Sequence, residues 1–293
     1  MNRCSILGVV LTTSLLAIQA HADDVTGRLK RIKEYSIMVI AHGETAMPFS
    51  YVDGGVPVGF GTDIAKRVAE TIKTRLGLTE LRLRWNPVTL STRFPLITTN
   101  TVDLECIATT HTRTREQMAG FSLTFYVSDE GIATRRDSGI KDYPDLAGKN
   151  VAVVRGTTTE SALLARGLNL TLVPERNNRM AMSALKEGRA DAFVAATPII
   201  AGELLRLSDP RPFHIVGSGG LKEAFACMLP KDDPGFKRIV DEALAEMMKS
   251  GEMERIYNKW FMSPIPPFGR NLSLPLTEDN RRLYLAPNDI PFD

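Results

Sequence analysis

LTFYVSDEGIATRR, Leu123 to Arg136, is a β-rich, largely apolar run far longer than an ordinary strand of about 5–6 residues. A strand of that length can leave one lobe of a molecule and enter the next. Upstream of it, YSIMVIAH (Tyr35–His42) reads as a buried strand, and GFGTDIAKRVAETIKTRLG sets Ile64, Val68 and Ile72 at helical spacing. LRLRW then reads as a strand, STRFPLITT as a short helix and VDLECIA as another strand. Downstream, YPDLAGKNVAVVRGTTTESALLARG gives a short helix, a turn, a strand and a helix, and LTLVPE, NRMAMSALKEG and ADAFVAATPIIAGELL continue strand, helix, strand, helix. Each side therefore carries a βαβα rhythm, which implies a parallel sheet with helices on both faces. EAFACMLP reads as one more strand and PGFKRIVDEALAEMMKSGEMERIYNKW as closing helices, while the Pro-rich end from Met262 reads as an extended tail.

The chain opens with MNR, the apolar run ILGVVLTTSLLAI and AHA before Asp23, the three parts of a secretory signal, so residues 1–22 are expected to be removed. Export implies an oxidising compartment, and no later run is long or apolar enough to span a membrane. With 36 basic and 34 acidic residues the 293-residue chain is nearly neutral, which gives no reason to expect nucleic acid or an anionic membrane surface as partner.

Beyond the signal two cysteines remain, Cys106 and Cys227. One disulfide is the reading an even count favours after export; two buried free thiols or catalytic thiol chemistry are the alternatives. A bridge would return the last part of the chain to the first. The first lobe is then discontinuous, with the middle segment inserted as a second lobe and two crossing strands as the hinge. Open α/β sheets bind ligands beyond the carboxyl ends of their strands, so two such lobes face each other across a cleft.

Three strand-to-helix loops combine cations and hydroxyls. VTLSTRFP supplies Arg93, CIATTHTRTRE supplies Thr109, Thr110 and Arg115, and VVRGTTTES supplies Arg155, Thr157 and Thr158. Free N–H groups at helix starts, threonine hydroxyls and planar guanidinium forks all suit an anion. A threonine before a helix is ordinarily only an N-cap, and a loop arginine is ordinarily a solvated charge, which is the reading for Arg113, Arg135 and Arg136. The shared position at strand ends of both lobes sets Arg93, Arg115 and Thr158 apart. RGTTTES lacks the ending of a phosphate P-loop, His42, His111 and His214 stand too far apart for a metal cluster, and Asp103 with Glu105 is read as alternate residues of one strand. No cofactor or metal is expected.

MPFSYVDGGVPVGFGTDIAKRVAETI, STRFPLITTNTVDLECIATTHTRTRE, DLAGKNVAVVRGTTTE, LKEGRADAF, FACMLPKDDPGFKRIVDEAL and NKWFMSPIPP, in that order, resemble the periplasmic glutamate/aspartate-binding proteins that serve ABC importers. The resemblance covers nearly the whole chain after the signal. It implies an α/β, two-lobed periplasmic-binding-protein fold of type II, with two open mixed sheets joined by two hinge strands and a disulfide between Cys106 and Cys227. The boundaries expected are residues 23–127 with 221–293 for the first lobe and 128–220 for the second. By position, Arg115 resembles the arginine that holds the ligand's α-carboxylate, with Thr110 and Thr158 beside it, and Arg93 resembles one that holds a side-chain carboxylate. The pattern fails elsewhere. A second side-chain arginine is Gly43 here, two serines are Leu90 and Ala108, a histidine aligns with Asn178, and the aspartate that pairs with the α-ammonium is Ala196.

Two ligands are therefore in play: an acidic amino acid, with Glu44 or Glu160 supplying the missing anion, or a small carboxylate without an amine, held by Arg93, Arg115 and Arg155. The expected function is non-enzymatic capture by cleft closure, by a monomer that delivers its ligand to an inner-membrane ABC permease from the periplasm. The alternative is a dehydratase- or lyase-like enzyme on the same scaffold, which needs a general acid or base in the cleft; Glu44, Glu160 and His111 are the candidates.

Overall fold

The structure, a computed structural model, describes residues 25–217 and 220–292, so the expected signal at 1–22 and the new terminus at Asp23 lie outside the described residues. It begins with a helix that the sequence reading did not anticipate, α1 (Gly27–Tyr35), followed by strand β1 (Ile37–His42). A small antiparallel sheet comes next, β2 (Thr45–Ala46), β3 (Ser50–Asp53) and β4 (Val56–Val58), also unanticipated. Helix α2 (Phe60–Arg75) buries Ile64, Val68 and Ile72, the same apolar spacing that marks it in the sequence. Strand β5 (Arg82–Pro87), helix α3 (Arg93–Thr98) and strand β6 (Leu104–Glu105) complete the cycle. The expected strand over residues 102–108 is thus cut to two residues. Past Glu105 the chain instead leans on a later strand through a single bridge between Thr110 and Phe225 and through the Cys106–Cys227 disulfide.

After α4 (Arg113–Glu116) comes β7, which runs 16 residues from Gly120 to Arg135 and contains the opening stretch almost whole. The middle of the chain follows as β8 (Asn150–Val154), α5 (Thr158–Ala165), β9 (Thr171–Glu175), α6 (Asn178–Lys186), β10 (Ala192–Ala196), α7 (Thr197–Arg206) and β11 (Phe213–Val216). Of these only β11 was missed. The chain then returns as β12 (Lys222–Leu229), α8 (Pro234–Lys249), α9 (Glu252–Phe261) and α10 (Glu278–Leu285).

Among the described residues nine strands share one order, β5-β1-β6-β12-β7-β10-β8-β9, with β11 also on β7. β5, β1 and β6 are mutually parallel, as are β10, β8 and β9, whereas β7 pairs antiparallel with β12, β10 and β11. The sheets are therefore mixed, which corrects the parallel sheets that the βαβα rhythm alone implies. The cause is the two crossing strands: β12 runs antiparallel to β6, and β7 pairs with β12 from Gly120 to Asp129 and then with β10 from Glu130 to Thr134. One strand belongs to both lobes, so its direction cannot suit the parallel cycle of each.

The first lobe closes on interlocked rings. Phe49 meets Tyr126 of β7 at 5.0 Å and Phe225 of β12 at 5.3 Å, edge to face, and Phe60 and Phe261 complete the cluster. Such pairs add about 0.5–1.5 kcal/mol each beyond area burial, so both crossing strands are anchored in this core. The extended tail expected from the sequence is corrected too, since α10 packs against β7. In the first lobe β7 has β12 on one side only, and the tail covers its other edge. Buried Asn280 accepts from Val127 N and donates to Val127 O, both at 2.8 Å, and Thr124 N donates to Asn288 O. An edge strand's free backbone groups need partners once buried, and this tail supplies them.

The lobes also touch away from the hinge. A Cβ on Gly202 of α7 would lie 2.5 Å from Met47 O, so only glycine lets the helix approach that loop. Arg270 donates to the carbonyls of Leu205 and Leu207 at the end of α7, and its guanidinium and that of Arg206 flank Phe268. Beside this contact Glu203 is buried, one of its oxygens has no partner, and Arg206 is 3.8 Å away. Burial pushes the Glu203 carboxyl up to about 7, opposed by Arg206 and Arg179. A carboxyl raised in the folded state stabilises below its unfolded pKa, and that stability is lost as pH climbs from about 4.5 to about 7. Glu203→Gln is expected to remove this slope and to raise stability at pH 7.5 by about 2 kcal/mol. Denaturant melts of both proteins at pH 5 and 7.5 check it; parallel pH dependence in the two would refute it.

Candidate functional site

A cavity of about 830 Å³ lies between the carboxyl ends of the two sets of strands. Its wall includes Arg93, Ala108, Thr110 and Arg115 from the first lobe and Arg155, Thr158, Asn178 and Ala196 from the second. Every expected ligand residue except Thr109 is therefore on one surface. The positions where the family pattern fails, Gly43, Leu90, Ala108, Asn178 and Ala196, line the same cavity.

Thr109 is fully buried behind the wall. It accepts from Arg93 Nη1 at 2.8 Å and donates to Glu105 at 2.7 Å, so it joins a cation to a carboxylate rather than facing a ligand. Arg93 starts α3 and Arg115 lies in α4, and both guanidiniums sit about the ring of Phe94, at 5.6 and 5.7 Å. Arg115 donates to Thr110 O at 2.8 Å, which fixes its side chain from its own loop, and Thr112 caps the helix start. Burial lowers the Arg115 pKa to about 10, with Arg93 lowering it further and Glu223 and Glu105 opposing, and burial lowers that of Arg93 as well. Arginine is not deprotonated in proteins, so both sites are cationic. Two desolvated cations side by side favour an anion between them.

The second lobe answers with α5. Thr157 is its N-cap, accepting from Glu160 N and donating to Val154 O, so the capping role suffices for that residue. Thr158 points across the cleft, where its hydroxyl lies 3.2 Å from that of Thr110. Arg155 is exposed at the rim, and Asn178 opens α6 behind its cap Asn177.

Glu223, on β12, is the residue the sequence reading missed. Both Thr110, at 2.7 Å, and Thr158 donate to one oxygen of its carboxylate, which is 4% exposed. Burial raises its pKa, and the two threonines and Arg115 pull the other way. A strand of the hinge therefore ties a hydroxyl from each lobe. The one available signal was a lone acid opening an otherwise apolar strand, KEAFACML. Glu105 was likewise passed over as strand alternation; it is fully buried, and burial raises its carboxyl against the pull of Arg93 and Thr109. Asp103 turns elsewhere, to Arg28 and Val39 N.

Of the catalytic candidates only Glu44 lines the cavity, and it is exposed. Glu160 accepts from Gly156 N, and His111 is buried against Phe121 with Glu116 at 2.8 Å. Among the described residues no cluster of His, Cys, Asp or Glu could hold a metal, and no helix is long and apolar enough to cross a membrane.

The profile of the bacterial extracellular solute-binding proteins, family 3, matches residues 38–263. An L-glutamate/L-aspartate-binding protein of Pseudomonas aeruginosa is 35% identical over 97% of this chain and 96% of its own. A glutamate/aspartate import solute-binding protein of Salmonella typhimurium is 35% identical over 95% of this chain and 97% of its own. Among solved structures, a mutant of ArgBP from T. maritima superposes with a TM-score of 0.71 at 26% identity, covering 79% of this chain and 98% of the other.

Proposed function

Because the chain belongs to the bacterial extracellular solute-binding proteins, family 3, we propose that it captures a small carboxylate or acidic amino acid in the periplasm and hands it, as a monomer, to an ABC permease. The observation that carries the ligand class is the pair of buried guanidiniums, Arg93 and Arg115, on the wall of one interlobe cavity with hydroxyls from both lobes. Lobe boundaries near residues 128 and 220 belong to this reading, supported by the change of partner along β7 at Asp129–Glu130 and the return of the chain into β12. Export by removal of residues 1–22 belongs to the same reading.

The mechanism is a shift of population. A ligand held by Arg115 on one side and by the start of α5 on the other bridges the lobes and favours the closed form by its differential affinity. Water exclusion strengthens each charge-assisted hydrogen bond made there. Capture without chemistry is the reading that the expected acid–base candidates support: His111 and Glu160 are committed elsewhere, and Glu44 is exposed. Calorimetric titration with L-glutamate, L-aspartate and C4–C6 dicarboxylates tests the reading; turnover of any of them, or no heat with any carboxylate, would sink it.

Closure has a second support at the rim. Arg270 bonds the end of α7 across the lobes, and charge-assisted hydrogen bonds are worth about 1.5–3 kcal/mol. Arg270→Ala is expected to weaken ligand affinity about tenfold while leaving Arg115 and its surroundings intact. An unchanged Kd would show that the rim contact does not bias closure.

A further inference from the structure

We infer that Glu223 receives the ammonium of an α-amino acid ligand and so sets a preference for acids that carry an amine, an assignment that rests on the proposed capture function. An ammonium closed into a cleft needs an anion, since an unpaired buried charge is costly. Three carboxylates reach the cavity wall: Glu44, Glu175 and Glu223. Glu44 is exposed, where an ion pair is worth little. Glu175 is paired with Arg189 at 2.7 Å. Glu160, the other acid expected to serve, accepts from Gly156 N. Glu223 is the buried acid of the wall, and it stands on β12, one of the two strands that cross between the lobes.

The surroundings of Glu223 aim it at such a ligand. Thr110 from the first lobe and Thr158 from the second both donate to the same oxygen, Oε1. Both donors are neutral, so the carboxylate keeps its charge and its Oε2 for a further donor. Arg115 donates to Thr110 O at 2.8 Å, so a single threonine holds the cation through its carbonyl and the anion through its hydroxyl. An α-amino acid carries the complementary pair of charges on one carbon. A ligand whose carboxylate lies on Arg115 therefore brings its ammonium to Glu223. Ala196, at the N-cap of α7 on the same wall, has no polar side-chain atom to compete for that group. Burial raises the Glu223 carboxyl against the pull of the two threonines and Arg115, and a ligand cation adds to that pull. Because the receiving carboxylate is tied to a hydroxyl of each lobe, the amine is also read by the closed arrangement.

The test titrates the full-length chain with two pairs of acids that differ only by the amine, L-glutamate with glutarate and L-aspartate with succinate. In the wild type the amine-bearing member of each pair is expected to bind about tenfold tighter or more. Glu223→Gln keeps an acceptor oxygen for the two threonines and removes only the charge. It is expected to weaken both amino acids about 100-fold while leaving both diacids within about threefold, so that the preference disappears. An equal fall for all four ligands, or a preference that survives in the variant, would give Glu223 a structural role alone and overturn the inference. Glutarate binding the wild type as tightly as L-glutamate overturns it too while leaving carboxylate capture standing, and this outcome needs no variant to fold. Silence of the wild type toward all four would instead remove the capture reading, and this inference with it.

Discussion

Arg115→Ala is expected to abolish binding of every carboxylate tested, a loss on the order of 1000-fold. Removing one partner of a buried, hydrogen-bonded charge pair typically costs about 3–5 kcal/mol, and each 1.4 kcal/mol is a factor of ten. Arg115 is 9% exposed, lines the cavity and is aimed by its bond to Thr110 O, so no mobile neighbour can replace it. Its loss also removes one of the charges that oppose burial of Glu105 and Glu223, and both acids are already raised by burial. The fold should survive, because the side chain's contacts are with its own loop and with Phe94. Calorimetry on a variant shown by circular dichroism to be folded is the check. Affinity within threefold of wild type would mean that the anion is held elsewhere.

The disulfide carries the largest stability effect. Cys106–Cys227 closes a separation of 121 residues, for which loop entropy gives about 4–5 kcal/mol, on a model whose mechanism is disputed. Cys106→Ala with Cys227→Ala is expected to lower Tm by about 10 °C or more, since a domain of this size loses about 2–4 °C per kcal/mol. Ligand affinity should fall as well. Cys106 precedes the loop that carries Thr110, and Cys227 lies on the strand that carries Glu223, so the bridge holds the two halves of that contact in register. A double variant that melts within 2 °C of wild type would refute the stabilising role.

Most elements were legible because their causes are local. Helix α2 has apolar residues at helical spacing, and β8 has four consecutive valine or alanine residues after Asn150, so burial periodicity names both. The elements that were missed or misdrawn depend on partners far along the chain. Helix α10 follows a Pro-rich run and is held by the free edge of β7, which nothing within the tail reveals. β6 stops after two residues because the chain beyond it is taken up by β12. Strand direction has a similar cause: the rhythm of each cycle alone implies parallel pairing, whereas the mixed sheets that the resemblance implies arise where β7 and β12 run antiparallel to their neighbours.

The candidate site divides in the same way. Arginines and threonines at the starts of helices announce themselves, because loop, cation and hydroxyl are adjacent in sequence. Engagement does not. Thr109 reads like its neighbour Thr110, yet it faces inward to Arg93 and Glu105. Glu223 reads as the edge of a strand, yet it receives hydroxyls from residues 113 and 65 positions away.

By itself, then, the sequence determined two α/β cycles, the long strand between them, the cysteines available for pairing and the cationic loops, all of which follow from side-chain periodicity and local turn chemistry. The tertiary structure decided which of those charges are already satisfied, which threonine faces the cleft and what covers the edge of β7. Those outcomes depend on distance in space, and a buried polar group is settled by whichever partner folding brings to it.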